Sequence, residues 1–254
     1  MHTRLVVFAL ALVATVGCRR SDGDLGDAGV VRFSQIVDYK ETEDFGAPVA
    51  VDRALLVALQ RPQSVWGNDE ETRADLVLDV EGGKDVTIVA LGFAQYAVTF
   101  ARPGEYRLVA VDERRGGRTV DRRTIVAEPL GGVRFHATAD VFTDDEPCND
   151  WREVPLDELK LYRNERAKVY AVPESRSGEP MLGLLDLVAD PVRGLEYDSP
   201  LIAHGQDVNV LTFWSNQQMQ EGAVRVAMYE RIAGKVGKVE VELVDDDRDV
   251  DCRD

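Results

Sequence analysis

Carboxylates, histidines, cysteines and tryptophans are the side chains through which this chain could do chemistry, and their spacing narrows what that chemistry could be. Two acidic clusters stand out. In "DVFTDDEPCNDW", Asp140, Asp144, Asp145, Glu146 and Asp150 crowd around Cys148; in "DDDRDVDCRD", Asp245, Asp247, Asp249 and Asp251 recur at every second position before Cys252. In an extended segment those four would point the same way and repel one another. A hard, oxygen-liganding cation such as Ca²⁺ would relieve that repulsion, and so would an exposed, solvated tail. The spacing departs from an EF-hand loop, whose sixth-position glycine is missing, so Asp144, Asp145, Asp245, Asp247 and Asp249 are weak metal candidates. No other cofactor is indicated.

Catalytic patterns are absent. The chain has no Gly-x-Ser-x-Gly, no phosphate-binding Walker loop, no His-Glu-x-x-His and no dinucleotide-type glycine loop. Beyond His2 the histidines are His136 and His204, and no Cys/His cluster has zinc spacing. Carboxylates are too abundant for one pair to mark a glycosidase couple. The reading is therefore not an enzyme. Trp66, Trp151 and Trp214 read first as core or interface residues; Trp214, where "NVLTFWSNQQ" runs into a polar loop, and Trp66 are the candidates for a ligand surface.

The leader "MHTRLVVFALALVATVGCRR" bears on location. Leu5–Val16 is an apolar run of the length of a signal-peptide core, too short to span a bilayer, which needs roughly 20 residues. Thr15-Val16-Gly17-Cys18 resembles the bacterial lipobox, with Thr15 where that family usually has Leu. The resemblance implies a Cys18 that is acylated and becomes the mature N-terminus; ordinary secretion is the alternative. Several acyl chains make a stable anchor where one does not. Arg19, where that family often carries Asp for inner-membrane retention, leans toward the outer membrane. With Cys18 acylated, Cys148 and Cys252 remain, and an exported compartment permits a disulfide between them; two free thiols are the other reading.

Charge limits the partners. The chain has 30 Lys and Arg against 46 Asp and Glu, net −16, and loss of the leader removes only Arg4, giving −17. That field repels nucleic acid and anionic headgroups, so a membrane partner would be reached through lipid, and an envelope protein or a glycan is the remaining partner class.

The elements that must position all this are strands. From residue 31 onward short runs rich in Val, Leu, Ile and aromatics alternate with period two between Gly, Pro or acidic turns, as in "RADLVLDVEG" and "GAVRVAMYERI". In "YRLVAVD" both faces are apolar, as in a central strand. Gly116-Gly117 and Gly82-Gly83-Lys84 each suggest a hairpin. "ETEDFGAPVAVDRALLVALQ" and "PLDELKLYRNERAKVY" also admit a short helix. A weak echo relates "VAVDRALLVALQRPQS" to "LKLYRNERAKVYAVPESRS", each followed by an apolar run with an acid, "ADLVLDV" or "LGLLDLV".

"ARPGEYRLVAVDERRG" resembles bacterial immunoglobulin-like domains, which often carry Pro-Gly-x-Tyr entering a late strand; Pro103, Gly104 and Tyr106 match. The resemblance implies that Tyr106 is a tyrosine-corner residue whose hydroxyl bonds back to the chain. Residues 220–229 would fill the same place in a second unit, with Gly222 but no Tyr. The expectation is an all-β chain of two tandem immunoglobulin-like β-sandwich domains: leader 1–17, flexible tether 18–30, sandwiches over 31–129 and 132–244, and an acidic tail over 245–254. Its expected role is structural or adhesive in the cell envelope. A hydrolytic, carbohydrate-active accessory lipoprotein and a calcium-stabilised adhesion module are the alternatives.

Overall fold

The structure, a computed structural model, describes residues 24–37, 45–60, 75–140, 151–162, 166–198, 208–215, 218 and 220–244. Eighteen strands and one 3-10 turn (Glu113–Arg115) make up its described elements. Among the described residues neither segment that admits a helix forms one: Ala54–Gln60 and Arg166–Glu174 are strands whose apolar runs bury two faces with sheet pairing on both sides, and Pro155–Glu158 is a turn in which Glu158 N donates to Pro155 O at 3.0 Å.

In the first half, β1 (Asp24–Leu25), β2 (Arg32–Gln35), β4 (Ala54–Gln60), β7 (Gln95–Phe100) and β6 (Val86–Gly92) form one sheet in that order. Facing it are β3 (Val49–Ala50), β9 (Arg118–Glu128), β8 (Gly104–Asp112) and β5 (Leu76–Glu81). In the second half, β11 (Trp151–Val154), β10 (Gly132–Asp140), β13 (Arg166–Glu174), β16 (Val210–Ser215) and β15 (Leu195–Asp198) face β12 (Lys160–Tyr162), β18 (Gly234–Val244), β17 (Gly222–Glu230) and β14 (Leu187–Ala189). Lettered as an immunoglobulin domain, each half has an A-B-E-D sheet packed on an A′-G-F-C sheet. In each, the short A′ strand runs parallel to G (β3 with β9, β12 with β18), while every other pairing is antiparallel. The chain is two tandem immunoglobulin-like β-sandwiches, each around its own apolar core.

The sequence echo is this repeated topology: its two members are the A′–B segments, β3–β4 and β12–β13, and the apolar runs that follow lead into the C strands, "ADLVLDV" covering most of β5 and "LGLLDLV" entering β14 only at Leu187. The F strands also match closely. β8 and β17 are nine residues each, begin on a glycine with positive φ (Gly104 at 156°, Gly222 at 131°), and bulge after the seventh residue. Gly116 and Gly117, at φ 72° and 73°, turn the β8–β9 hairpin as expected. Gly82-Gly83 does not make one. β5 pairs with β8 and β6 with β7, so that turn carries the chain from one sheet to the other.

The expected tether needs shortening, because residues 24–30 belong to the first sandwich. Strand β1 pairs with β2, and the following turn wraps the carboxylate of Asp121 on β9. Asp121 Oδ1 accepts from the backbone N–H of Ala28 and Arg122, and Oδ2 from Val30 and Val31, all at 2.7–2.8 Å. A Cβ on Gly26 would collide with the same carboxylate, so glycine is needed there. Burial works to raise the Asp121 pKa, and the four backbone donors outweigh it, leaving the pKa below the ordinary value.

A second anchoring acid joins the two halves. The β13–β14 connection inserts Leu182 into the first sandwich's core, with Leu182 N donating to Pro48 O at 2.8 Å, Ala50 N to Leu182 O at 2.8 Å, and Leu184 N to Ala54 O at 2.9 Å. Beside it Arg53 Nη2 meets Glu230 Oε2 at 2.6 Å, the two side chains 5% and 0% exposed. The same oxygen accepts from Ile232 N at 3.0 Å and Ala233 N at 2.6 Å. Gly183 packs so close that a Cβ would lie 2.9 Å from the Arg53 Cβ. Asn209, in the left-handed region at φ 57°, holds the insert from behind: its Nδ2 donates to Gly183 O and its Oδ1 accepts from Leu185 N.

Two outcomes are expected. Arg53→Ala strands a buried carboxylate and should destabilise the chain by about 3–5 kcal/mol, whereas Arg53→Met with Glu230→Leu should recover most of that loss; urea unfolding of the singles and the double measures both. Asp121→Asn should cost about 3 kcal/mol at neutral pH. Because the folded pKa is depressed, this contribution is full above the unfolded value of about 4 and is lost as pH falls through the folded pKa. The stability gap between wild type and variant should therefore narrow on acidification.

Candidate ligand surface

Trp214, the sequence's candidate for a ligand surface, lies half-buried on the outer face of the second sandwich. Alternation along three paired strands of the second sandwich decides which side chains meet there. Ala167, Val169, Leu195, Leu211 and Phe213 point into the core, so Arg166, Lys168, Glu196, Asp198, Thr212 and Trp214 share the outer face. Register sets them in rows: Arg166 opposite Trp214 and Trp214 opposite Glu196, then Lys168 opposite Thr212 and Thr212 opposite Asp198. Trp214 Nε1 donates to Glu196 Oε2 at 3.2 Å. Arg166, Asp198, Thr212 and Trp214 line a shallow depression of about 210 Å³.

A half-buried indole flanked by a guanidinium and carboxylates offers a flat apolar face with polar groups at its rim, which suits stacking and hydrogen bonding rather than bond cleavage. Glu196 and Asp198 stand two residues apart on one strand and so point the same way.

Tyr106, near the start of β8, donates its hydroxyl to the Arg102 carbonyl at 2.9 Å, and its ring lies 4.6 Å from that of Phe100. His136, on β10, contacts Arg134, with Nε2 2.8 Å from its Nη1. Trp151 begins β11. Cys18, Cys148, Cys252, Trp66, His204, Asp144, Asp145, Asp245, Asp247 and Asp249 lie outside the described residues. Among the described residues no group of three or more His, Cys, Asp or Glu is placed to hold a metal ion, and no helix is long and apolar enough to cross a membrane.

The disulfide expectation is corrected. No cysteine is among the described residues, so no disulfide links their strands, and the last strand is secured without one: β18 pairs with β17 along its length and with β12 at its end. Sequence reasoning also missed the two buried acids that hold the architecture, Asp121 and Glu230. The only signal for Glu230 was its place closing the run "GAVRVAMYE", and its partner Arg53 is 177 positions away.

No protein-family model matches the chain. No curated protein matches it either. Among solved structures it is similar to domains 5–6 of the S-layer protein SbsC, at 11% identity over 79% of this chain and 94% of that one, TM-score 0.33. It is also similar to invasin, described as a bacterial integrin-binding protein, at 12% identity over 86% of this chain and 40% of that one, TM-score 0.33. A third is the Escherichia coli adhesin FdeC, at 13% identity over 84% of this chain and 64% of that one, TM-score 0.30. The immunoglobulin-like topology stated above stands on this chain's own strand order.

Replacing Trp214 by Phe keeps an aromatic face and removes the indole donor. Because the Glu196 partner is exposed, urea unfolding should show a change within about 0.5 kcal/mol, the mark of a surface whose residues are not needed for the fold.

Proposed function

We propose that this chain is a non-catalytic, lipid-anchored cell-envelope protein, whose two joined sandwiches act as a structural or adhesive module. The observation that carries the reading is the junction. A backbone stitch, an inserted leucine and a buried ion pair hold the two domains in one arrangement. A module that bears load or presents a surface at a set distance from its anchor needs such fixity; inter-domain motion is otherwise the default.

Anchoring through Cys18 supplies the membrane attachment that an acidic surface cannot, and Arg19 favours the outer membrane. The partner is an envelope protein or a glycan, received on the Trp214 face. That face combines an aromatic plane with polar neighbours in rows, the chemistry by which sugar rings and amphipathic side chains are held without being cleaved. Tyr106 serves this reading as a tie at the base of an F strand, stiffening the sandwich nearest the anchor.

The test is intact mass. Expressed in a Gram-negative host, the membrane-extracted protein should begin at Cys18 and carry added acyl mass. Cys18→Ser, or an inhibitor of lipoprotein signal peptidase, should abolish that species. A soluble unacylated chain unaffected by the inhibitor would end the anchored reading.

A further inference from the structure

Edge strands expose unpaired backbone donors and acceptors, and folded proteins ordinarily blunt them with charge, proline or brevity. Seven of the eight sheet edges described here are blunted. β1 and β3 are two residues long, and β12 and β14 three. β5 carries Asp79 and Glu81, β11 carries Arg152 and Glu153, and β15 carries Glu196 and Asp198.

Strand β6 has none of these protections over Val86–Ala90 and bulges only at its end, between Ala90 and Gly92. It is seven residues long, reads Val-Thr-Ile-Val-Ala-Leu-Gly, and pairs on one side only among the described strands. No charged residue occurs from Val86 to Phe100, in a chain of which 30% is charged. Its outward side is apolar, with Val89 52% and Leu91 49% exposed. The turn that follows adds to this. Phe93 and Ala94 occupy both central positions of a two-residue hairpin at φ 50° and 57°, a conformation that favours Asn-Gly and costs non-glycine residues roughly 1–2 kcal/mol each. Ala94 is buried, with its carbonyl accepting from Leu59 N at 2.9 Å, while Phe93 stands 77% exposed. The backbone is thus held in a costly conformation with an aromatic ring in solvent beside an apolar edge.

We infer that β6 is the interface with a second copy of this chain, the two strands pairing antiparallel across a two-fold axis near Val89. Backbone self-complementarity selects this occupant, and charge decides where it docks. Two copies at net −16 repel one another over most of their surfaces, and β6 is where both can approach without placing like charges face to face. An antiparallel pair of identical strands is self-complementary: each supplies the backbone groups the other lacks, with Val89 of each copy opposite its mate's Val89 and Leu91 opposite Thr87. Such a contact closes on itself, because pairing uses the only long unprotected edge each chain has among its described sheets, so it stops at the dimer. The inference stands independently of the Trp214 face, which lies on the other sandwich.

Sedimentation velocity of the full chain in mild detergent, across the micromolar range, tests it. Wild type should form a dimer. Val89→Lys and, separately, Thr87→Lys should each weaken it by at least about tenfold, the first by setting like charges across the axis and the second by setting a charge against the mate's Leu91. Leu25→Lys, at an exposed apolar residue of the two-residue β1, should leave it intact. Circular dichroism melting keeps the comparison to folded variants. A wild-type chain that stays monomeric throughout, or a dimer that persists in both β6 variants, overturns the proposal.

Discussion

The contact between Arg53 and Glu230 is the constraint on which the rest of the arrangement depends. A carboxylate with no exposed surface is tolerable only if its charge is met, and Glu230 is met by one guanidinium from the other sandwich and two backbone donors from its own turn. That requirement fixes where the first sandwich's A′–B corner must sit against the second sandwich's F–G turn. Leu182 is positioned by the same geometry, and Gly183 has no side chain because Arg53 passes where one would be. An apolar pair of similar volume could hold the surfaces together as firmly. The ion pair instead penalises every other docking of the two domains, because each would leave a charge buried alone.

The two sandwiches use equivalent positions for different ends. Asp112 closes the F strand of the first as Glu230 closes that of the second, and both are buried. In the first, the acid stays local: Arg115, three residues on in the turn, lies 3.5 Å from it. In the second, the acid reaches across to its neighbour. One structural unit, repeated, thus supplies a turn lock in one copy and a domain lock in the other, with the longer glutamate at the place where the reach is greater.

How much of this was legible in the sequence follows from the range of the interactions. Strand identity, the paired A′–B and C segments, and the glycines that open the F strands are local signals, written in alternation and turn residues, and they could be read directly. Sheet membership is not local. "DVEGGKDV" has the composition of a hairpin, yet the chain leaves one sheet at Gly82 and enters the other, because β5 finds its partner in β8 and β6 in β7. The apparent tether "DLGDAG" looks disordered by composition, since the group that orders it, the Asp121 carboxylate, is some 90 residues away. Trp214 could be singled out as a surface aromatic, but the row Arg166–Trp214–Glu196 exists only once three strands are in register.

The long-range features share a physical cause. The exposed ion pairs, such as Arg122 with Glu81 and Arg225 with Glu240, each contribute little, so the decisive electrostatic contacts are internal: carboxylates drawn inside and matched to backbone N–H groups or to one arginine. Asp121 orders the segment entering the first sandwich, and Glu230 orders the junction leaving it. Between these two points the first sandwich is fixed at both ends, which leaves its β6 edge and the Trp214 face of its neighbour as surfaces whose side chains the fold does not require. Residues free of structural duty are where an interaction surface can arise without cost to the architecture, and among the described residues the half-buried indole and the outward Thr87, Val89 and Leu91 of β6 are of this kind.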